Sequence, residues 1–455
     1  MKVIIVGGGI SGLATAHYLL QRLPGCEVTV LEREPELGGT MRTQQKAGYL
    51  FELGANGFLS DRPDTLELVR DIGAEDLLLP SSNEARKRFI FTDRLHPLPE
   101  TPGAFLRTKL LRPRDKLRVL AEPFVPAKRS DQDESLQSFG YRRVGTAFTD
   151  TFLDAMAAGI HASTPQKLSV RAAFPAVVRL EQEYGGLFKG MLKKRSRHAG
   201  PRGVLMSFRG GVGRFIERLA AASGATVQTD CPIARVGRAG AGFVVEGPGI
   251  QLTADRVILA TPAFAAATLL EGLDAELAQC LAAIDYSPIA VVGVGYCGVR
   301  HPLAGFGLLT TQTAAQDILG VLWDSSIFAD RAPPGEKCVR VLIGGQRNPF
   351  LARQEDESLI AIALGGIAAT MAVREPPALT VVKRWPRGIP HYQLGHLARV
   401  NTIFERLKRH SGLYLNSNAY HGIGLNDCVT HSKRCAQAIV ADSAGARDGA
   451  TLGLP

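Results

Sequence analysis

The chain has 455 residues, 45% of them hydrophobic, and a formal net charge of +10. This length suffices for two or three domains with a large buried core. The longest apolar runs, 257–270 and 289–299, are broken by proline or glycine and fall short of the roughly 20 residues of a membrane-spanning helix. Seven cysteines without a C-x-x-C spacing favour a reducing compartment, and we predict neither disulfides nor a metal site.

The first predicted elements form a βαβ unit. A short apolar strand runs into Gly7-x-Gly9-x-x-Gly12, a helical pattern follows, and Glu32 closes the next strand. This order is the fingerprint of a dinucleotide-binding turn. The glycines allow a tight turn and a close approach of the backbone to a pyrophosphate, and the start of the helix offers free N–H groups. Glu32 is the predicted acceptor for the ribose hydroxyls.

A second glycine-rich run favours FAD over NAD. Gly38 and Gly39 follow the Glu32 strand and let the chain pass close to the cofactor, and Arg42 is placed to meet a phosphate. The segment 51–58 has two glycines around Asn56, which indicates backbone packed against a flat ring. An ordinary turn is the alternative interpretation of that segment.

The positive charge is concentrated in one segment. Residues 86–200 contain 22 Lys/Arg and 11 Asp/Glu, whereas the rest of the chain contains 31 and 32. The spacing in this segment is mostly helical, and apolar residues such as Leu117 and Phe124 lie between the basic ones. Such a mixture is typical of a surface that lies on anionic lipid. A basic face for a polycarboxylate substrate and a solvated helical surface are the alternatives, and we do not expect nucleic acid because no such motif accompanies the charge.

The remainder of the chain returns to strands. The pattern predicts a helix at 212–222, short β-rich runs from 284 to 346 that form a large antiparallel sheet, and a strand at 413–415 followed by a helix. Both ends of the chain are therefore expected to build one cofactor domain. The predicted domains are an FAD-binding domain from 1–85, 203–283 and 391–455, a helical basic insert at 86–202, and a substrate-binding domain at 284–390.

Six segments of the sequence resemble protoporphyrinogen oxidases, which belong to the amine oxidase and phytoene desaturase superfamily. The segments are GGGISGLA, ELGG, ELGANGFL, AAGIHASTPQKLSVRAAFP, RWPRGIPHYQLGH and NAYHGIGLNDC, and they are distributed over nearly the whole chain. The resemblance implies an α/β (α+β) fold. Its parts would be a discontinuous Rossmann-like FAD domain of the p-hydroxybenzoate hydroxylase type, an antiparallel-sheet substrate domain and a helical, membrane-associated insert.

The resemblance also implies an activity in haem biosynthesis. Three two-electron hydride transfers to non-covalent FAD would convert protoporphyrinogen IX to protoporphyrin IX, and O2 would reoxidise the flavin and give H2O2. The expected partners are the porphyrinogen, O2 and the inner face of the cell membrane, for a peripheral cytoplasmic protein whose candidate assembly is a homodimer. The alternatives are coproporphyrinogen III oxidation, a flavin amine oxidase or carotenoid desaturase, and a non-catalytic porphyrin or FAD carrier.

Particular residues follow from the resemblance. For FAD they are Gly7, Gly8, Gly9, Ile10, Ser11, Gly12, Glu32, Arg33, Gly38, Gly39, Arg42, Gly54, Ala55, Asn56, Gly57, Ile233, Thr261, Trp385, Ile423, Gly424 and Leu425. For the substrate they are Gly159, Phe306, Leu309 and Ile343. No general base is assigned, and core packing is the alternative for Trp385. No arginine lies at 98–104, where some relatives bind a propionate, so Arg94 or Arg107 is the substitute that we expect.

Overall fold

A computed structural model describes residues 1–197 and 203–443. The strands in these ranges are β1 (Lys2–Val6), β2 (Glu27–Leu31), β3 (Thr43–Lys46), β4 (Tyr49–Glu52), β5 (Phe58–Leu59), β6 (Leu78–Pro80), β7 (Arg88–Phe91), β8 (Leu95–Pro97), β9 (Leu205–Phe208), β10 (Thr226–Gln228), β11 (Arg235–Ala239), β12 (Gly242–Gly247), β13 (Ile250–Ala254), β14 (Arg256–Leu259), β15 (Tyr286–Tyr296), β16 (Gly307–Thr310), β17 (Ile318–Leu322), β18 (Lys337–Gly344), β19 (Leu379–Pro390) and β20 (Leu413–Leu415).

The helices in the same ranges are α1 (Ile10–Arg22), α2 (Pro63–Asp71), α3 (Pro102–Arg107), α4 (Pro113–Leu120), α5 (Leu136–Arg143), α6 (Thr146–Phe148), α7 (Asp154–His161), α8 (Val170–Ala173), α9 (Pro175–Tyr184), α10 (Leu187–Arg197), α11 (Val212–Ala222), α12 (Ala263–Leu270), α13 (Ala275–Ala282), α14 (Asp324–Ile327), α15 (Asp356–Met371), α16 (His396–Leu407) and α17 (Leu425–Ser443). One π-helical turn at 149–153 joins α6 to α7.

A five-stranded parallel sheet draws its strands from distant parts of the chain. Its order is β10-β2-β1-β14-β20, so a strand near the C-terminus pairs beside strands from the start of the chain. The strands are rich in valine and isoleucine because both faces are covered. Helices α1, α11 and α17 pack on one face, and α12, α13 and α16 pack on the other. Ligands of such sheets bind beyond the carboxyl ends of the strands.

A seven-stranded sheet forms the second layer, in the order β19-β15-β18-β17-β16-β7-β8. All neighbouring pairs are antiparallel except β16 with β7. Strands β7 and β8 come from residues that the charge pattern had placed in the helical insert. They join the sheet because Ile90 and Phe91 are buried in it and the Phe89 ring packs 5.3 Å from that of Trp323.

Buried charges hold helices α5, α9 and α10 together within the helical insert. Arg143 is fully buried and pairs with Glu122 and Glu181, and Glu122 also accepts the Leu187 N–H at the start of α10 (2.8 Å). Loss of one partner in such a cluster would leave an uncompensated buried charge, so the cluster fixes how these helices pack. Within the two described ranges, we find no helix with the length and hydropathy needed to cross a bilayer.

Candidate flavin and substrate site

The dinucleotide turn lies between β1 and α1 and is closed by its glycines. Gly7 has a φ of +111°, and a Cβ there would lie 2.8 Å from the Ala260 carbonyl oxygen. A Cβ on Gly12 would lie 2.0 Å from the Gly7 oxygen, so no larger residue fits without moving the helix. At Gly9, in contrast, the nearest described atom would be 3.9 Å away. The turn is therefore packed on its inner side and open at the start of α1, where a pyrophosphate finds N–H donors.

Glu32 lies at the end of β2 beside this turn. Its carboxylate accepts the Gly8 N–H (2.7 Å) and the Glu34 N–H (3.0 Å). These two bonds fix the side chain close to the glycines, which is the position that the ribose prediction requires. The neighbouring Arg33 pairs with Glu34 and is largely exposed, so its predicted contact with FAD depends on its backbone.

The Gly38–Gly39 turn approaches the first turn directly. Gly38 donates its N–H to the Gly8 oxygen (2.9 Å) and has a φ of +106°. The Arg42 guanidinium lies beside it, bonded to Glu36 (2.8 Å) and to the Gly39 oxygen (3.2 Å). Arg42 is thus held close to the two turns, and its predicted phosphate contact would be made in competition with Glu36.

Residues 53–57, here named the flavin segment, run between two other segments of backbone. A Cβ on Gly54 would lie 2.0 Å from the Thr40 oxygen, and one on Gly57 would lie 2.0 Å from the Met206 oxygen. The Asn56 side chain is buried at both polar atoms, and neither has a hydrogen-bond partner among the described residues. A buried amide without partners is costly, and a heteroaromatic ring with donors and acceptors would satisfy it. The segment therefore fits a flavin.

Trp385 joins β19 to the flavin segment. Its Nε1 donates to the Leu53 oxygen at 2.6 Å, and the Lys383 ammonium lies 4.7 Å from the centre of the indole ring. The ring packs between one apolar cluster that contains Leu53 and another that contains Ala158 and Ile289. Trp385 is therefore a core residue and a neighbour of the flavin segment at once.

The remaining predicted cofactor residues come from three other places. Thr261 follows β14, and its hydroxyl is buried without a partner among the described residues. Ile233 is half-buried in the cluster on the α12 face of the parallel sheet. Before α17, Ile423 packs against the cluster of α5 and α7, Leu425 begins the helix, and Gly424 donates its N–H to Asp427 (3.2 Å).

The turn before α17 carries a histidine that stays neutral. The His421 ring lies 5.3 Å from that of Phe404, and burial lowers the pKa of His421 to about 3. Gly422, with a φ of +114°, donates its N–H to the Tyr392 hydroxyl (2.7 Å). The turn therefore offers the oriented N–H groups of a helix start and no titrating cation at neutral pH.

Helix α7 lies across the inner face of the seven-stranded sheet and builds an apolar wall. A Cβ on Gly159 would lie 2.7 Å from both methyl carbons of Leu309, so a larger residue there would displace the Leu309 side chain. The rest of the wall is apolar and contains Ala158, Ala162, Ile289, Leu319, Leu342 and Trp385. The structure thus brings the predicted residues Gly159, Leu309 and Trp385 to one side of the sheet.

Two other predicted substrate residues lie elsewhere. Ile343 is fully buried behind the sheet, against α15, because successive strand residues face opposite sides; Leu342 is the neighbour that reaches the wall. Phe306 lies in a separate cluster with Ile327, and the Arg88 guanidinium stacks 5.1 Å from its ring. Sequence reasoning missed Leu342 and Arg88. Strand alternation would have identified the first, but Arg88 was grouped with the basic insert.

A glycine-lined dinucleotide turn, a buried amide without hydrogen-bond partners and an adjoining apolar wall are the features of a flavin-dependent oxidoreductase. The chain belongs to the flavin containing amine oxidoreductase family, whose profile matches residues 10–440, and its cofactor is FAD. This membership accounts for the two glycine-rich turns and for the strand that returns from the C-terminal end of the chain.

Named relatives extend over nearly the whole chain. It is 28% identical to coproporphyrinogen III oxidase of Bacillus subtilis (strain 168), over 95% of this chain and 96% of the relative. It is 30% identical to protoporphyrinogen oxidase of Macaca fascicularis, over 96% and 98%. A solved structure from Exiguobacterium sp. 255-15, assigned as a protoporphyrinogen oxidase, is 26% identical with a TM-score of 0.86, over 97% and 99%. The resemblance to protoporphyrinogen oxidases is thereby confirmed.

Proposed function

We propose that this protein is an FAD-dependent porphyrinogen oxidase of haem biosynthesis, which converts protoporphyrinogen IX to protoporphyrin IX with O2 as acceptor and H2O2 as product. The observation that carries the proposal is the aliphatic wall of α7 and the sheet, which adjoins the flavin segment at Trp385. A flat, mostly apolar macrocycle fits such a wall, whereas an amine would require polar groups around its nitrogen. Bound FAD supplies the acceptor for two electrons in each of three steps.

The protein's own residues position and enclose the reactants. Gly159 lets the Leu309 side chain pack directly against α7, which keeps the apolar wall continuous beside the macrocycle. The aliphatic side chains exclude water from the reacting carbon. Asn56 would orient the isoalloxazine through its free amide. The proposal needs no general base, and His421, whose pKa burial lowers to about 3, is neutral at neutral pH.

Arg88 is the cation that we assign to a substrate propionate. It lies over the Phe306 ring, which the resemblance places at the substrate, and its guanidinium is exposed at the edge of the sheet. Arg107 instead bonds to the Gly103 oxygen on α3, which leaves it a weaker candidate than sequence reasoning suggested. A guanidinium binds a carboxylate through two parallel hydrogen bonds, so this contact would also fix the orientation of the macrocycle.

A second substrate has specific support, because the relative in Bacillus subtilis is named coproporphyrinogen III oxidase. That substrate carries four propionates where protoporphyrinogen carries two, and the remaining chemistry is the same. The two are separated by parallel turnover measurements under air, read as porphyrin fluorescence and H2O2. Faster formation of protoporphyrin supports the proposal, and faster formation of coproporphyrin replaces the substrate. Loss of flavin colour with an amine and none with either porphyrinogen would contradict both.

The basic insert carries an apolar patch that we propose as a docking surface for the inner face of the cytoplasmic membrane. The exposed members of this patch, named the insert patch, are Leu106, Leu117, Leu120, Phe124, Met191 and Leu192. They lie on α3, α4, the turn after it and α10, among basic residues of the same elements. Exposed apolar groups with cations around them bind anionic lipid by insertion and by charge. A porphyrinogen dissolved in lipid would then reach the chamber without crossing water.

A further inference from the structure

A fully buried carboxylate stands immediately before the flavin segment. Glu52 ends β4, and its Oε1 accepts the Val212 N–H (3.0 Å) and the Arg331 Nη2 (3.1 Å), while its Oε2 accepts the Thr43 hydroxyl (2.7 Å). Burial raises the pKa of Glu52, and Arg331 opposes this rise. Val212 begins α11, which packs on the parallel sheet. Glu52 is thus bonded to the cofactor layer through its side chain.

Two side chains from the seven-stranded sheet bind the backbone carbonyl groups of Glu52 and Leu53. Arg340 on β18 donates its Nη1 to the Glu52 oxygen (2.5 Å) while its Nε and Nη2 bind Asp324 (2.5 and 2.9 Å). Trp385 on β19 donates its Nε1 to the Leu53 oxygen (2.6 Å). Asp324 and Arg340 are almost completely buried. Consecutive peptide groups of one short stretch are therefore fixed to the same sheet that carries the substrate wall.

We propose that Arg340, Glu52 and Trp385 form a tether that sets the separation between the flavin segment and the substrate sheet, and with it the reach between the reacting carbon and the cofactor. Arg340 and Glu52 are positioning residues, because they act through the backbone of the flavin segment. Misplacement of reacting groups by 1 Å costs about 100-fold in rate, so a tether of this kind would control the chemical step. The inference rests on the proposed function only for the identity of the substrate.

A purely structural ion pair would behave differently on substitution. Lysine at position 340 keeps the charge but cannot reach Asp324 and the Glu52 oxygen together, because its single nitrogen replaces a fork of three. Trp385→Phe keeps an aromatic ring at the wall and removes the bond to Leu53 together with part of the indole packing, and the measured KM reports whether the wall still binds substrate. If the tether acts, both changes slow the chemical step while FAD and substrate still bind. If the residues only stabilise the fold, the changes lower the unfolding midpoint and leave the rate intact.

The test compares Arg340→Lys and Trp385→Phe with Arg143→Lys, a matched control that disturbs a buried arginine in the helical insert. The FAD-loaded proteins are mixed anaerobically with protoporphyrinogen and the loss of flavin absorbance is timed. We expect both tether variants to be about 10- to 100-fold slower, with KM and FAD affinity within about 3-fold, and the control to be unchanged in rate. Rates within about 2-fold of wild type in both tether variants would overturn the proposal. If Arg340→Lys does not fold, the rate of Trp385→Phe decides alone.

A second measurement needs no substrate and separates failure of the tether from failure of the proposed function. In a Trp323→Phe background, Trp385 is the single remaining tryptophan of the chain. An indole that lies close to a flavin quenches its fluorescence by electron transfer, and the quenching falls with distance. The tether predicts a longer flavin fluorescence lifetime in Arg340→Lys, and an unchanged lifetime would overturn it. Wild-type protein that no porphyrinogen bleaches would refute the proposed function, while the lifetime result would still decide the tether.

Discussion

The exposed fractions of the side chains in the insert patch set how much membrane binding should be lost when they are truncated. The Phe124 and Leu117 side chains are 89% and 67% exposed. Burying such a side chain completely is worth about 1.5–3 kcal/mol. Scaled by those fractions, the double variant Phe124→Ala/Leu117→Ala should lose about 3 kcal/mol of insertion energy, or roughly 100-fold in partitioning.

Co-sedimentation with anionic vesicles measures this loss, and Phe350→Ala is the matched control. Phe350 is 71% exposed and lies after β18, on none of the elements that carry the insert patch. We expect the control to bind like wild type, and binding of all proteins to weaken with added salt because the basic residues contribute. Equal binding of the double variant and wild type would refute the assignment of the patch.

Three further predictions concern the cofactor, the substrate and pH. Gly12→Ala places a methyl group against the Gly7 oxygen, so FAD affinity measured by fluorescence should fall by more than about 10-fold; unaltered affinity would disprove the packing. Arg88→Gln would remove the proposed charge-assisted bond to a propionate, which is worth about 1.5–3 kcal/mol. KM should therefore rise about 10- to 100-fold while kcat stays nearly constant. A change confined to kcat would argue against a propionate contact. Burial lowers the pKa of His161 and of His396 to about 4, and that of His421 to about 3. In the unfolded chain these histidines take up protons near about pH 6.5. The free energy of unfolding should therefore be fully present above that pH and fall as the pH is lowered toward about 4. Urea unfolding that shows constant or rising stability on acidification would contradict this sign.

Much of the fold could be predicted from local patterns in the sequence. The β1–α1–β2 unit was predictable because Gly7 and Gly12 are required by close contacts with Ala260 and with each other. The helix at 212–222 and the strand at 413–415 occur as predicted, since an amphipathic period and a short apolar run between turns suffice to define them. The resemblance placed Trp385 near the flavin ring, which no periodicity could supply; this contact stays a prediction, and the structure shows the bond from its Nε1 to the Leu53 oxygen.

Contacts between distant segments were not predictable in the same way. The assignment of residues 88–97 to the helical insert was wrong, because net charge concealed an alternating strand whose partner, β16, lies more than 200 residues further along the chain. Ile343 and its neighbour Leu342 face opposite sides of the sheet, a difference that an apolar run does not reveal without the strand register. Glu52, Arg340 and Arg331 drew no attention because a buried ion cluster is defined by tertiary packing and has no spacing in the sequence.

The most direct test of the account is anaerobic mixing of the purified, FAD-loaded protein with one equivalent of protoporphyrinogen, recorded by absorbance and fluorescence together. We predict that the flavin absorbance falls as substrate is oxidised, that it returns on admission of air, and that porphyrin fluorescence grows with each cycle. A yellow protein that keeps its colour, with no fluorescence above the spontaneous rate, would contradict the central claim that this flavin faces a chamber built for a porphyrinogen.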